Sequence, residues 1–207
     1  MKNLKRNGAG VVVGAGLFAA FFLSACMTMP EGQVWRFIDV PEHRAVLVGK
    51  VELLPELRPG EQVLATSFGE RFHDVFVLYL GELIRDFRSK KPDTFEGSYA
   101  LPLGRTFYIE VNKGTTIYLS GGMFFSVYDP PFNIESHTYP LFYKVDVGAS
   151  DDALYIGTIQ FHRDDQNKLR LFAIRDDFQN ADQEFKDRFT TATTLRKALL
   201  VPVNFSQ

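Results

Sequence analysis

Arg105-Thr106-Phe107-Tyr108-Ile109-Glu110-Val111 alternates without a break. Successive strand side chains point to opposite faces, so Phe107, Ile109 and Val111 fall on one side and Thr106, Tyr108 and Glu110 on the other. Such a segment buries one face and wets the other. The same texture of short apolar runs, broken by Gly, Pro, Asn and Asp, extends outward from it to Ala45 and to Ile174. Strands are expected at 45–51, 63–66, 75–80, 82–87, 95–101, 105–111, 116–119, 123–127, 141–147, 154–161 and 169–174. Asn112-Lys113-Gly114 suits a tight hairpin, Asp164 to Asn167 suits a longer one, and Gly121-Gly122 reads as a hairpin turn as well.

Near the C-terminal end the period changes. Phe178, Ala181, Phe185 and Phe189 recur at three, four and four residues, which places all four on one face of a helix. Either Asp177, just ahead of it, or Asn180 with Gln183 caps its start. The stretch Ala198 to Pro202 then tacks the end of the chain onto the domain. Many short strands and one late amphipathic helix make the chain mainly β, with a β-sandwich or a β-rich barrel the expected architecture. The 207 residues, 45% hydrophobic and 23% charged with 20 Phe, suffice for one aromatic core and exclude wholesale disorder. Pro and Gly are dispersed and no repeat is evident, so one domain spans 35–207.

The N-terminal segment has a different character. Lys2, Lys5 and Arg6 precede an apolar run from Val11 to Leu23, 13 residues long. That is shorter than the roughly 20 residues a membrane span needs. A basic start and a short apolar run have the layout of a secretory signal peptide. The run ends Leu23-Ser24-Ala25-Cys26, which resembles the lipobox of bacterial lipoproteins. The resemblance implies cleavage between Ala25 and Cys26, a signal peptide at 1–25, and S-diacylglyceryl and N-acyl groups on Cys26. It implies a lipidated tether at 26–34 and anchoring to membrane lipid. Met27, where the proteobacterial family uses Asp for inner-membrane retention, points to the outer membrane. The competing reading is an uncleaved anchor, since no charge occurs from Asn7 to Pro30, although Gly8, Gly10, Gly14 and Gly16 weaken such a helix. Removing 1–25 takes away three bases and no acid, so the formal charge moves from −2 to about −5. That balance disfavours nucleic acid as a partner. The one basic cluster, Arg85, Arg88, Lys90 and Lys91, reads as a charged loop, with contact to lipid head groups or peptidoglycan the alternative.

A second resemblance lies in Phe95-Glu-Gly-Ser-Tyr-Ala-Leu-Pro-Leu-Gly-Arg-Thr-Phe-Tyr-Ile-Glu110. This stretch is similar to prealbumin-like or carboxypeptidase-regulatory-like sandwich domains, in which a strand enters a Leu-Pro-x-Gly turn and a Tyr-bearing strand follows. Tyr155-Ile-Gly-Thr-Ile, with the hairpin and helix after it, looks like the end of uncharacterised bacterial envelope lipoproteins. Both imply a fold and neither implies an activity.

Catalytic and metal chemistry find little support in the sequence. His43, His73, His137 and His162 are scattered, with no pair at the spacing of common metal sites. There is no Gly-x-Ser-x-Gly elbow, and Ser150 sits in a turn. Asp151-Asp152, Asp164-Asp165 and Asp176-Asp177 lack the alternation of a calcium loop and read as solvated turns. No catalytic residue, metal or cofactor is assigned. The candidate binding surface is aromatic: Phe124, Phe125, Tyr128, Phe132, Tyr139 and Tyr143, bent around Asp129-Pro130-Pro131. Core filling is the competing role for most of these rings. The expected function is non-catalytic binding or scaffolding of an envelope protein partner. The alternatives are a carrier of small apolar ligands or lipid, with a cavity closed by aromatic rings, and a hydrolase assembling Ser, His and Asp from distant strands.

Overall fold

The computed structural model describes residues 36, 40–58, 61–67, 70–73, 75–84, 97–128, 133–189 and 193–204. At 62–67, 70–73, 127–128 and 133–134 it describes the backbone alone. Cys26, the lipobox, the tether and Phe132 lie outside the described residues. Along the chain run β1 (Arg44–Leu54), β2 (Glu61–Ser67), β3 (Glu70–His73), β4 (Val75–Gly81), β5 (Ser98–Pro102) and β6 (Thr106–Asn112). There follow β7 (Thr116–Tyr128), β8 (Asn133–Asp146), β9 (Ala153–Arg163), β10 (Leu169–Arg175), α1 (Phe178–Arg188), β11 (Leu195–Lys197) and β12 (Val201–Pro202).

Two sheets form a sandwich. One has the order β10-β9-β1-β6, with β11 also beside β9; the other has β12-β8-β7-β2-β3, with β4 beside β7 and β5 beside β4. β1 and β9 pair in parallel at the centre of the first sheet. Both are nearly continuous apolar runs because both of their faces are covered, one by the second sheet and one by α1. Leu47, Val51, Ile109, Ile156 and Phe161 face the second sheet, while Val46, Val48, Tyr108 and Tyr155 face Ala181, Phe185 and Phe189. The helical spacing of those aromatics therefore does place them on one packed face. It also means that Tyr108 is buried beneath Phe189, edge to ring at 5.1 Å, where alternation alone put it in water.

Several sequence expectations change. Asn112-Lys113-Gly114 is a turn with Gly114 at φ 70°, but β6 and β7 enter different sheets, so it is a corner of the sandwich and not a hairpin. Leu101-Pro102-Leu103-Gly104 is another corner, taking β5 in one sheet to β6 in the other. Gly121-Gly122 is no turn: the two runs around it fuse into β7, and Gly122 passes under the ring of Phe76, whose nearest atom would lie 2.0 Å from an added Cβ. β8 begins at Asn133, earlier than expected, and carries exposed Pro140. Along most of its length its outer edge has no described partner, so the missing amide proton is tolerated. The expected strand at 82–87 is absent where the structure describes it: β4 ends at Gly81, and Leu83 is 84% exposed. The Asp164–Asn167 hairpin between β9 and β10 forms. The C-terminal stretch pairs with β9 through β11 and with β8 through β12, tying the two sheets together with Leu200 buried between.

Candidate functional site

At the end of the sandwich where β2, β7, β8 and β9 converge, five polar side chains meet, four from these strands and one, Asn167, from the β9–β10 turn. Arg163 ends β9 and Glu61 opens β2; their side chains are 0% and 1% exposed. They form a bidentate pair: Arg163 Nη1 donates to Glu61 Oε1, and Nη2 to Oε2 at 2.8 Å. Nη1 also donates to Asn167 Oδ1 at 2.5 Å. Nε and Nη2 reach the carbonyl of Pro55 at 3.4 and 3.3 Å, and Nη2 that of Glu56 at 3.3 Å. Burial pushes the Glu61 carboxyl up, but the Arg163 hydrogen bonds, the Arg58 amide and the guanidinium charges outweigh it and hold it below the usual range. A guanidinium has five N–H donors, and all of them are committed here. Arg163 therefore has nothing left to offer an anionic ligand.

Around this pair lies a second ring of contacts. Asn167, at φ 58° in the tip of the β9–β10 hairpin, accepts the Tyr139 hydroxyl on its carbonyl at 2.6 Å. Its Nδ2 lies 3.3 Å from His137 Nε2, and Ser126 Oγ lies 2.8 Å from the same nitrogen. Glu135 Oε2 is 3.8 Å away. Burial lowers the His137 pKa and the Arg163 charge lowers it further, against the attraction of Glu135 and Glu61. The ring packs on Phe124 at 4.9 Å.

Ser126 and His137 are the pair a dispersed hydrolase would need, and the β7–β8 register sets them diagonally on one face, Ser126 opposite Glu135 and His137 opposite Phe124. Ser126 is, however, 0% exposed, so no substrate reaches its hydroxyl. The ring nitrogen that would take its proton is shared with an amide, and the orienting carboxylate of a triad is not what holds it. This constellation is a cross-linked core corner. No family model, curated protein or solved structure matches the chain.

The aromatic residues singled out from the sequence divide. Phe124 and Tyr139 are 0% and 3% exposed and belong to the core, which corrects their assignment to a surface. β7 and β8 are strands here, and alternation turns these two inward. Phe76, Phe124, Tyr139, Phe161 and Phe172 stack through the sandwich with centroids 4.5 to 5.9 Å apart. Tyr143 is half-buried against Phe172 at 4.7 Å, which places it at the edge of that stack. Phe125 is half-buried on the opposite side of β7. Tyr128 is described by its backbone, opposite Glu61, and Phe132 is not described.

Outside the core, an open groove of about 830 Å³ is lined by β1, β4, β5, β6 and β7, with Arg44, Glu110, Tyr99 and Tyr79 in its walls and Leu83 and Ile84 on its rim. Residues 85–96, which carry the basic cluster, run between Ile84 and Gly97 outside the described residues. Tyr99 is buried enough to push its phenol above the ordinary value. Sequence reasoning missed this groove because its residues come from five strands in two sheets.

The acidic pairs sit in turns. Asp151 accepts the Gly148 amide and pairs with Arg196, Asp164 accepts the amides of Gln166 and Lys168, and Asp176 accepts that of Phe178. Among the described residues no three His, Cys, Asp or Glu side chains gather as metal ligands would, every buried side-chain nitrogen or oxygen has a partner, and no helix is long and apolar enough to cross a membrane.

Proposed function

We propose that this chain is a bacterial envelope lipoprotein, acylated at Cys26, whose sandwich domain binds or scaffolds an envelope protein without catalysis. The observation that carries the reading is Leu23-Ser24-Ala25-Cys26 at the end of a short apolar run with a basic start. Each methylene buried in a membrane contributes about 0.8 kcal/mol, so two or three acyl chains anchor stably where one does not. Met27 supports an outer-membrane destination. The folded part agrees in character with a binding module: a sandwich in which the contact of Ser126 with His137 is sealed and an open groove has mixed polar and apolar walls.

Mass spectrometry of the membrane-extracted protein tests the anchor. The expected N-terminus is an acylated Cys26, with 1–25 gone; an intact Met1 or an unmodified Cys26 refutes it. Crosslinking in native envelopes tests the role. Recovery of a defined partner, weakened by Tyr99→Ala or Leu83→Ser on the groove, supports the binding reading; turnover of a substrate by the purified domain sinks it.

A further inference from the structure

We propose that His137 is an acid-sensitive latch, whose protonation releases the Asn167 corner that ties the β9–β10 hairpin to the buried Arg163–Glu61 pair. The argument rests on which atoms can donate. Arg163 has donors only, so its 2.5 Å contact with Asn167 Oδ1 fixes the amide, oxygen toward the guanidinium and Nδ2 toward His137. An amide nitrogen donates, so His137 Nε2, 3.3 Å away, is the acceptor. The neutral ring therefore carries its proton on Nδ1.

A proton on Nε2 sets two donors against each other at this contact. Ser126, 2.8 Å from the same nitrogen, can rotate its hydroxyl and accept. Asn167 cannot adapt in that way, because its oxygen is already committed to Arg163. Either the imidazolium or the amide has to move. The amide belongs to a residue 2% exposed, in a left-handed conformation, whose carbonyl holds Tyr139 and whose backbone N–H holds Asp164. Displacing it strains the turn at 164–168 and removes one partner from Arg163.

The charged groups facing His137 from each side set the direction. Glu135 on its own strand is 3.8 Å from Nε2 and exposed, and it favours the proton. Arg163 on β9 opposes it and Glu61 on β2 favours it, while the β7 neighbours Phe124 and Ser126 carry no charge. Burial and Arg163 prevail, so the closed corner prefers the neutral ring. This device is independent of the lipid anchor.

Amide hydrogen exchange on the whole chain tests it, with protection corrected for intrinsic exchange at about pH 7.5 and about pH 5. Protection at 164–169 is expected to fall about tenfold at the lower pH, with β1 and β6 unchanged. Equal protection at both values, or a uniform loss through the whole domain, overturns the proposal. Nitrogen NMR of the ring should find the Nδ1–H tautomer near neutral pH; an Nε2–H ring overturns it. His137→Gln supplies a side-chain acceptor that does not titrate and should abolish the acid response. The same response in that variant would also overturn the latch. The two wild-type measurements decide the matter whether or not the variant folds.

Discussion

A single arginine holds one end of the sandwich, and its removal separates the value of a pair from the cost of breaking it. Arg163→Met leaves the Glu61 carboxylate buried without its partner, and such a change costs about 3–5 kcal/mol. Urea unfolding should register that loss, while Arg163→Met with Glu61→Leu should recover a large part of it, because two apolar groups leave no stranded charge. If the double variant is as unstable as the single one, the pair matters for its reach to the Pro55 and Glu56 carbonyls and less for its charge. Gly122 is the second residue with a disproportionate role. A methyl there must displace the Phe76 ring, so Gly122→Ala should lower stability by about 1–3 kcal/mol, the usual range for overpacking. Phe76→Leu in the same chain should make the alanine easier to accommodate, and a thermal melt of the four combinations measures the coupling. None of this was legible in the sequence, where Gly121-Gly122 carries the ordinary pattern of a turn.

Helix α1 is the element whose role was most legible. Its three-four-four spacing of Phe178, Ala181, Phe185 and Phe189 needs no tertiary information to read, and Phe185 ends up 1% exposed on the outer face of the first sheet. Phe185→Ala should cost about 3–5 kcal/mol, as deletion of a large buried ring does. Lys186→Ala, which removes an exposed pairing with Asp182, should change stability by less than about 0.5 kcal/mol. Chemical denaturation of both variants checks that the helix is held by its apolar face and not by its surface charges. The strands were less legible. The period of two recognised most of them, but it could not tell which sheet a strand joins, and β6 and β7, adjacent in sequence, part company at Gly114. The candidate site suffered more. Ser126, His137, Asn167, Arg163 and Glu61 come from four strands and a turn, and no spacing along the chain links them.

At the scale of the molecule, the histidine and carboxylates that are shifted among the described residues act in one direction as the solution is acidified. Burial holds His137 below its ordinary value, and hydrogen bonds and nearby cations hold Glu61, Glu52 and Asp151 below theirs. In each case the unfolded chain binds protons that the folded one refuses, so stability is present at neutral pH and falls as pH falls. The loss begins below the ordinary imidazole value of 6.5 and steepens below the ordinary glutamate value of 4.5, as the carboxylates reach their folded values. Urea midpoints measured from about pH 8 to about pH 3 should be flat above the first value and decline in two stages. A midpoint that rises on mild acidification contradicts the placement of His137. What the sequence determined by itself is what local chemistry can fix: a mainly β chain, a helix with one apolar face, and turns such as 112–114 and 164–167 where Gly, Asn and Asp allow them. The tertiary structure alone decided which strands share a sheet, that β1 and β9 are covered on both faces, and that Phe124 and Tyr139 are core. It also decided that five scattered polar residues form one buried network. Alternation specifies two faces for every strand, but whether a face meets water, a second sheet or a helix depends on segments far away in the chain.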